Sequence, residues 1–246
     1  MITMTEPEIL YRDKDIIVVR KPAGMASQPD RSLGMDLVSW LKNTLARQEG
    51  STPEILPVHR LDRPVGGVIV YAGNRTAAAK LSAQLTDGRM QKEYLAVLTG
   101  FPHGGTAIDP PPGSPDGTQW LRLEKQLEKE EKGNRSRAAA GGGKKAVLDY
   151  RILAEKETES GPLLLAQIRL LTGRHHQIRV QMAHAGAGLW GDTKYNPAFA
   201  GKKGWYDLAL FARRLTFKHP RSGKNLIFEI PAGEAVTAHF PEADRL

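Results

Sequence analysis

Short runs of apolar, β-branched residues recur along most of the chain, and they constrain the fold more than any other feature of the sequence. Pro22 and Gly24 end the first of these runs, as turn residues commonly end strands. Helical stretches are scattered among the runs without the steady strand–helix alternation of a parallel sheet. The order therefore predicts an α+β fold with a mixed, mainly antiparallel sheet and flanking helices. The strand-like runs span residues 15–24, 67–73, 92–100, 146–154, 162–171, 208–217 and 225–230.

Two helices are predicted by a capping residue that precedes a helical apolar stripe. Asp36 precedes the first stripe and Asn74 precedes the second. Gly88 predicts the end of the second helix. The stripes are Leu37, Val38, Leu41 and Leu45, and Ala77, Ala78, Leu81 and Leu85.

The length, charge and cysteine content of the chain limit its domain number, its partners and its chemistry. A chain of 246 residues can bury one sizeable core, and we expect a single domain over residues 1–246. Lys and Arg number 35 against 27 Asp and Glu, a formal net charge of +8 that favours phosphate-bearing partners. The absence of cysteine excludes disulfides, thiolate zinc sites and cysteine nucleophiles.

The sequence also sets an expectation for the compartment. The first fifteen residues, MITMTEPEILYRDKD, carry early acids and no apolar core of signal-peptide length. No run approaches the roughly eighteen apolar residues of a membrane span. We expect a cytoplasmic monomer that does not contact a membrane.

Residues 124–145, called the basic arm below, differ from the rest of the chain in composition. They combine Gly with many charged residues, which is typical of a solvated, mobile loop. An alternative is that the arm contacts phosphates through its cations. Both interpretations are compatible. The cations in question are Lys132, Arg135, Arg137, Lys144 and Lys145.

Asp62 is the first candidate for chemistry, because the stretch HRLDRPVGGVIVYA (59–72) places it between Arg60 and Arg63. Neighbouring arginines favour an ionised carboxylate, which can attack an electron-poor carbon. A plain salt bridge at the start of a strand explains the same motif equally well from these residues alone.

A second candidate segment, GRHHQIRVQMAHAG (173–186), predicts a helix that starts near Arg174. Ile178, Met182 and Ala185 form its apolar stripe, and Arg179 lies on an adjacent edge. A buried arginine needs an anionic partner, and we nominate Asp62.

The histidines of this segment raise the question of a metal site. His175, His176 and His184 lack the spacing of a known metal site, and no cysteine is available to complete one. We therefore predict no metal.

With these stretches in view, the chain resembles the RluA family of RNA pseudouridine synthases. The resemblance extends from about residue 8 to residue 231. It rests on several motifs in the right order. These are VHRLDRPVGGVIVYA (58–72), KEYLAVLTG (92–100), TGRHHQIRVQMAHAG (172–186), GDTKY (191–195) and LALFARRLTFKHP (208–220).

The resemblance implies a role for individual residues. Asp62 matches the essential nucleophile, and Arg60 matches the arginine that enters the RNA when the target base is turned out. Tyr94 matches the tyrosine that lies against the uracil ring and is the leading suggestion for removing the proton from C5. Arg179 matches the arginine that pairs with the catalytic aspartate. Without the family, Tyr94 is more simply an ordinary core tyrosine.

The resemblance also implies a fold and a partner. The family has the pseudouridine synthase fold, a mixed antiparallel sheet with helices and a central RNA-binding cleft, and uses neither metal nor cofactor. The implied partner is RNA, either tRNA or rRNA. Further RNA contacts are predicted for His59, Arg174, His176 and Gln177.

The chain departs from the family pattern at two places. Val65 and Gly66 stand where members usually have Thr and Ser after HRLD, and His175 stands where they have Thr. Many members also carry an N-terminal S4 RNA-binding domain, for which this sequence leaves no room before its motifs. We expect RNA to be recognised by the catalytic domain, aided by the basic arm.

Two other functions stay open at this point. The first is a weakly active or inactive RNA-binding or ribosome-assembly protein on the same fold, which the altered segment after Asp62 suggests. The second is a glycosidase-like hydrolase, which needs a second carboxylate as general acid. No other Asp or Glu has a comparable sequence context.

Overall fold

The computed structural model describes residues 6–30, 34–112, 114, 117, 119–131, 133–139, 141–204 and 206–245. In chain order the elements are β1 (Glu8–Arg12), β2 (Ile16–Lys21), α1 (Leu37–Glu49), β3 (Leu56–Pro57), β4 (Gly66–Ala72), α2 (Arg75–Thr86), β5 (Gln91–Leu98), β6 (Thr106–Ile108), β7 (Trp120–Lys129), β8 (Ser136–Ala138), β9 (Lys144–Lys156), β10 (Leu163–Leu170), α3 (Gln177–His184), β11 (Leu210–Lys218), β12 (Asn225–Glu229) and α4 (Glu234–Thr237), followed by a short 3-10 helix (Pro241–Asp244).

The chain divides into two compact units. The first comprises Met1–Lys92 and Phe211–Gly233, and the second comprises Glu93–Leu210 and Glu234–Leu246. The expectation of a single domain over residues 1–246 stays a prediction.

The first unit is built on a mixed sheet. β1 pairs antiparallel with β2, β2 pairs antiparallel with β4, and β4 pairs parallel with β11. β3 and β12 add antiparallel to β4 and β11. β4 is buried along its whole length, because its sequence GGVIVYA offers no polar face.

The helices of the first unit begin at the predicted caps. The Asp36 carboxylate accepts from the backbone N–H groups of Val38 and Ser39 at 2.9 and 3.1 Å and starts α1. The Asn74 side chain accepts from the Ala77 N–H at 2.9 Å and starts α2. Both capping predictions are confirmed.

The second unit carries an antiparallel sheet. β5 lies next to β10, β10 pairs antiparallel with β9, and β9 pairs antiparallel with β7. β6 and β8 both add antiparallel to β7. The predicted α+β class with a mixed, mainly antiparallel sheet is confirmed.

The basic arm is not the continuous loop that its composition predicts. Its first residues lie in β7, its middle forms β8, and its last two residues begin β9. Leu127 of β7 is in register with Ala138 of β8 and with Lys144 of β9. Strands with one exposed face need few apolar residues, so the charged composition concealed them. Lys132 and Ala140 of the arm lie outside the described residues.

The helix of the second candidate segment begins three residues later than predicted, at Gln177 rather than near Arg174. His176, just before it, has φ 54° and ψ 25°, in the left-handed region, so it cannot continue a right-handed helix. The Gln177 side chain instead accepts from the Arg174 N–H at 2.9 Å and holds the preceding turn.

Candidate functional site

The Asp62 segment is a turn that its neighbours hold by the main chain. The Ser27 hydroxyl donates to the Leu61 carbonyl at 2.8 Å and accepts from the Leu61 N–H at 3.1 Å. The Val65 N–H donates to the Asp62 carbonyl at 2.9 Å and closes the turn. Asp62 is half-buried, and Arg60 is exposed. The carboxylate is therefore carried by a fixed backbone.

The next residue, Arg63, is fixed against the loop after β2. Gly24 donates its N–H to the Arg63 carbonyl at 2.8 Å, and Arg63 Nε donates to the Gly24 carbonyl at 2.9 Å. Lys21, at the end of β2, donates from Nζ to the carbonyls of Met25 and Arg63 at 2.6 and 3.3 Å.

Lys21 brings a buried charge close to Asp62. The side chain is fully buried, and this burial lowers its pKa to about 7, although the negative charge of Asp62 acts in the opposite direction. The sequence motifs assign no role to Lys21. The available signal was a lysine close after a run of four apolar residues, 16–19.

The Val65–Gly66 departure has a packing explanation. Val65 is buried, and a Cβ added at Gly66 would lie 3.3 Å from the ring of Phe211. At Gly67, φ is +130° and an added Cβ would lie 2.3 Å from the Ala212 carbonyl oxygen. Here β4 approaches β11 so closely that only glycine fits.

His59 faces the sheet. Its Nε2 accepts from the Val70 N–H at 3.2 Å. Burial of the ring, with the nearby positive charge of Lys92, lowers the pKa of His59 to about 3. The imidazole is therefore neutral at physiological pH. Its predicted RNA contact stays a prediction, as does that of Arg60.

Tyr94 lies in β5 of the second unit and is 6% exposed. The strand predicted over residues 92–100 is confirmed as β5, and the five residues from Tyr94 to Leu98 are all buried. Its role against the uracil ring stays a prediction.

Arg179, on α3, is buried and held by a carboxylate that sequence analysis did not nominate. Its Nε and one terminal nitrogen donate to the two oxygens of Asp192 at 2.7 and 2.6 Å. The side chains of Arg179 and Asp192 are 5% and 1% exposed. Asp192 also accepts from the N–H groups of Lys194 and Tyr195 at 2.9 and 3.1 Å. The predicted pairing of Arg179 with Asp62 stays a prediction.

The other predicted RNA contacts of this segment have local partners. Gln177 is buried and donates to the Val147 carbonyl at 3.0 Å. His176 is buried, with its Nδ1 2.6 Å from the Tyr195 hydroxyl. Arg174 is exposed and donates from Nε to the Lys145 carbonyl at 2.8 Å. Their contacts with RNA stay predictions.

Asp192 and Tyr195 are functional candidates that sequence analysis left without a role. Both belong to the motif GDTKY that supported the resemblance. An acid close in sequence to a buried arginine was the available signal, since such an arginine requires an anionic partner.

One group of acids and histidine among the described residues is close enough to surround a metal ion, namely Asp13, Asp15 and His219. Arg221 donates to both oxygens of Asp15 at 2.5 and 2.9 Å, and these bonds hold the pKa of Asp15 well below its usual range. A guanidinium so placed repels a cation. The residues therefore form a largely buried ion-pair network in the first unit, and the expectation of no metal stays a prediction.

Comparison with known proteins gives the family. Residues 15–184 match the family described as RNA pseudouridylate synthase. The tRNA pseudouridine synthase C of Haemophilus ducreyi is 33% identical over 233 residues, covering 88% of this chain and 87% of that protein. The dual-specificity RNA pseudouridine synthase RluA of Salmonella typhi is 31% identical over 224 residues, covering 91% and 92%.

Two further comparisons agree. The ribosomal large subunit pseudouridine synthase D of Zymomonas mobilis is 32% identical, covering 90% of this chain and 68% of that protein. The structure of human RNA Pseudouridylate Synthase Domain Containing 1 superposes with a TM-score of 0.69 at 19% identity, covering 96% and 88%, and shows the shared fold. None of the helices in the described residues is long and apolar enough to cross a membrane. The chain therefore belongs to the RNA pseudouridylate synthase family, among relatives of the RluA type.

Proposed function

We propose that this protein isomerises specific uridines of structured RNA to pseudouridine, with Asp62 as the catalytic carboxylate. The observation that carries the proposal is the Asp62 turn, which holds a half-buried carboxylate on a backbone fixed by Ser27 and Gly24. The family match supports the reaction class. Relatives named for tRNA and for the large ribosomal subunit support RNA of either kind as substrate.

The reaction explains why a carboxylate is needed. The bond between N1 of uracil and C1′ of ribose breaks, the base turns, and C5 bonds to C1′. C5 loses its proton and N1 gains one, so no oxidant or cofactor is consumed. Asp62 either attacks C1′ or removes the 2′ proton to form a glycal, and both routes need the ionised form.

Arg179 and Tyr94 complete the proposed catalytic set. The Asp192 carboxylate fixes the Arg179 guanidinium through two hydrogen bonds, which leaves its plane in a defined orientation. We assign Arg179 to pairing with Asp62 and Tyr94 to the uracil ring. A base inside folded RNA must be turned out to react, and we assign that step to Arg60.

We extend the proposal to the substrate, compartment and oligomeric state of the enzyme. Excess positive charge suits an RNA substrate, and phosphate contacts make affinity depend steeply on salt. We propose a cytoplasmic monomer that recognises RNA through its catalytic domain and needs no cofactor. A binding protein without turnover is the alternative that the Val65–Gly66 departure keeps open.

The test is tritium release from RNA labelled at C5 of uracil, with separate tRNA and rRNA pools. Asp62→Asn should lower release by more than about 10³-fold, because it removes the reacting carboxylate. Its melting temperature and RNA affinity should stay near those of the wild type. The matched control is Asp87→Asn, the same chemical change at an exposed aspartate that pairs with Arg89, and it should retain full release.

The outcomes separate the alternatives. Release by the wild type and by Asp87→Asn, with none by Asp62→Asn, supports the proposal. Equal release by all three proteins contradicts the role of Asp62. No release from either pool, with intact RNA binding by the wild type, favours the binding protein.

A further inference from the structure

Tyr195 lies where three parts of the second unit meet. It packs against the buried cluster of Leu127, Ala146 and Val180, which come from β7, β9 and α3. Its ring lies 5.1 Å from the guanidinium carbon of Arg179 and 5.3 Å from that of Arg135. One half-buried ring therefore contacts an arginine of the proposed catalytic set and an arginine of the basic arm.

The Tyr195 hydroxyl fixes the basic arm to α3. It accepts from the Ser136 N–H of β8 at 2.8 Å and lies 2.6 Å from His176 Nδ1. Burial raises the pKa of Tyr195, so the hydroxyl keeps its proton. The Tyr195 N–H also donates to Asp192, the carboxylate that holds Arg179.

His175, a residue at which this chain departs from its family, reinforces the same junction. Its Nδ1 lies 2.8 Å from the Ser136 hydroxyl. Its ring stacks on that of His176, with centroids 3.7 Å apart. A threonine could not provide this stacked contact, so this part of the junction depends on the histidine at position 175.

Two cations are held side by side next to this junction. Arg135 donates to the carbonyl of Lys194, and Lys194 Nζ donates to the carbonyl of Asn134 at 3.2 Å. These carbonyl bonds place both cationic groups next to the junction. The positive charges of the two side chains attract an anion that lies between them. The phosphate of an RNA backbone is such an anion.

We propose that Arg135 and Lys194 bind a backbone phosphate of the substrate RNA, and that Tyr195 is a positioning residue that transmits this contact to Arg179. The proposal rests on the proposed function, because it assumes an RNA substrate. Phosphate binding holds the Arg135 side chain against the Tyr195 ring, and Tyr195 in turn contacts Arg179 through its ring and Asp192 through its N–H. Catalysis thus depends on correct docking of RNA along the arm.

The test measures RNA affinity and the single-turnover rate at saturating RNA. Arg135→Gln should weaken affinity about fivefold and also slow the saturating rate about tenfold. Tyr195→Phe, which keeps the ring and loses the hydroxyl, should slow the saturating rate with affinity within about twofold. Lys194→Gln should weaken affinity like Arg135→Gln. The matched control is Arg89→Gln, at an exposed arginine whose charge Asp87 neutralises, and it should change neither quantity.

A double variant distinguishes coupling from independent damage. If Tyr195 transmits the contact, Arg135→Gln combined with Tyr195→Phe is no slower than the slower single variant. If the two losses in saturating rate multiply in the double variant, the inference is overturned. It is also overturned if Arg135→Gln changes the affinity alone. Melting temperatures check folding, and if Tyr195→Phe does not fold, a normal saturating rate in both Arg135→Gln and Lys194→Gln overturns the inference by itself. A wild type without turnover on any RNA pool contradicts the proposed function instead.

Discussion

The Asp62 turn and the Arg179 site are held in place by different kinds of bond. Ser27 and Lys21 hold the Asp62 turn through the main-chain groups of Leu61 and Arg63. Arg179, in contrast, is held by the side chain of Asp192. The first arrangement fixes a backbone, and the second fixes a side chain.

This difference predicts which substitutions each region tolerates. A turn held by its main chain keeps its shape when the side chain at position 62 changes. A buried guanidinium loses two charge-assisted hydrogen bonds when the carboxylate opposite it changes, and weakening a buried ion pair is costly. Changes at Asp62 should therefore affect activity, whereas changes at Asp192 should affect stability first.

The largest effect is expected for Asp192→Asn. It removes the negative charge that accepts two hydrogen bonds from the buried Arg179 guanidinium, and we expect unfolding free energy to fall by about 3–5 kcal/mol in urea titration. Asp149→Asn is the matched control, since Arg122, its partner, is 38% exposed and can turn to water. The control should lose about 1 kcal/mol. Equal losses at both positions would show that the buried Arg179 depends on its carboxylate no more than the partly exposed Arg122 does.

A smaller effect is expected for Ser27→Ala. The Leu61 N–H is buried and would lose its acceptor, which costs about 1–3 kcal/mol. Ser82→Ala, at an exposed position of α2, should change stability by less than about 0.5 kcal/mol. Turnover by Ser27→Ala should also fall, although Ser27 is outside the proposed catalytic set, because the turn that carries Asp62 loosens. Unchanged turnover in a destabilised variant would show that the turn is fixed by other groups.

The two regions also differ in how far the sequence predicts them. Asp36 and Asn74 cap helices through atoms two or three residues away, so local patterns were sufficient to find α1 and α2. The strand β4 followed from its unbroken apolar run, and Asp62 from its motif.

The parts that were missed depend on contacts between distant residues. Asp192 is 13 residues from Arg179, and the Ser27 hydroxyl is 34 residues from Leu61. The strands of the basic arm form because β7 pairs with β8 and β9, not because of their own composition. The left-handed conformation of His176, which delays α3, has no periodic signal in the sequence.

The smallest effect concerns pH and the charge of Lys21. Its Nζ donates to carbonyls, and burial lowers its pKa from the ordinary 10.5 to about 7. Between these values the unfolded chain binds a proton that the folded protein does not, so this residue makes stability rise with pH. We expect a gain of about 1 kcal/mol between pH 7 and pH 8 that Lys21→Met abolishes, measured by urea titration at each pH. Lys80→Met, at an exposed lysine, should leave the slope unchanged.

This measurement shows whether the Asp62 turn, unlike the Arg179 site, is stable without a pair of opposite charges. A slope that is the same in the wild type and in Lys21→Met would mean that the lysine stays protonated when buried. Its stabilising partner would then be the negative charge of Asp62, which already acts to raise the Lys21 pKa. The Asp62 turn would in that case depend on an opposite charge, as the Arg179 site does, and Asp62→Asn would lower stability as well as turnover. If the slope is present, the turn is held by hydrogen bonds to the main chain, and it does not depend on a fixed positive charge on Lys21.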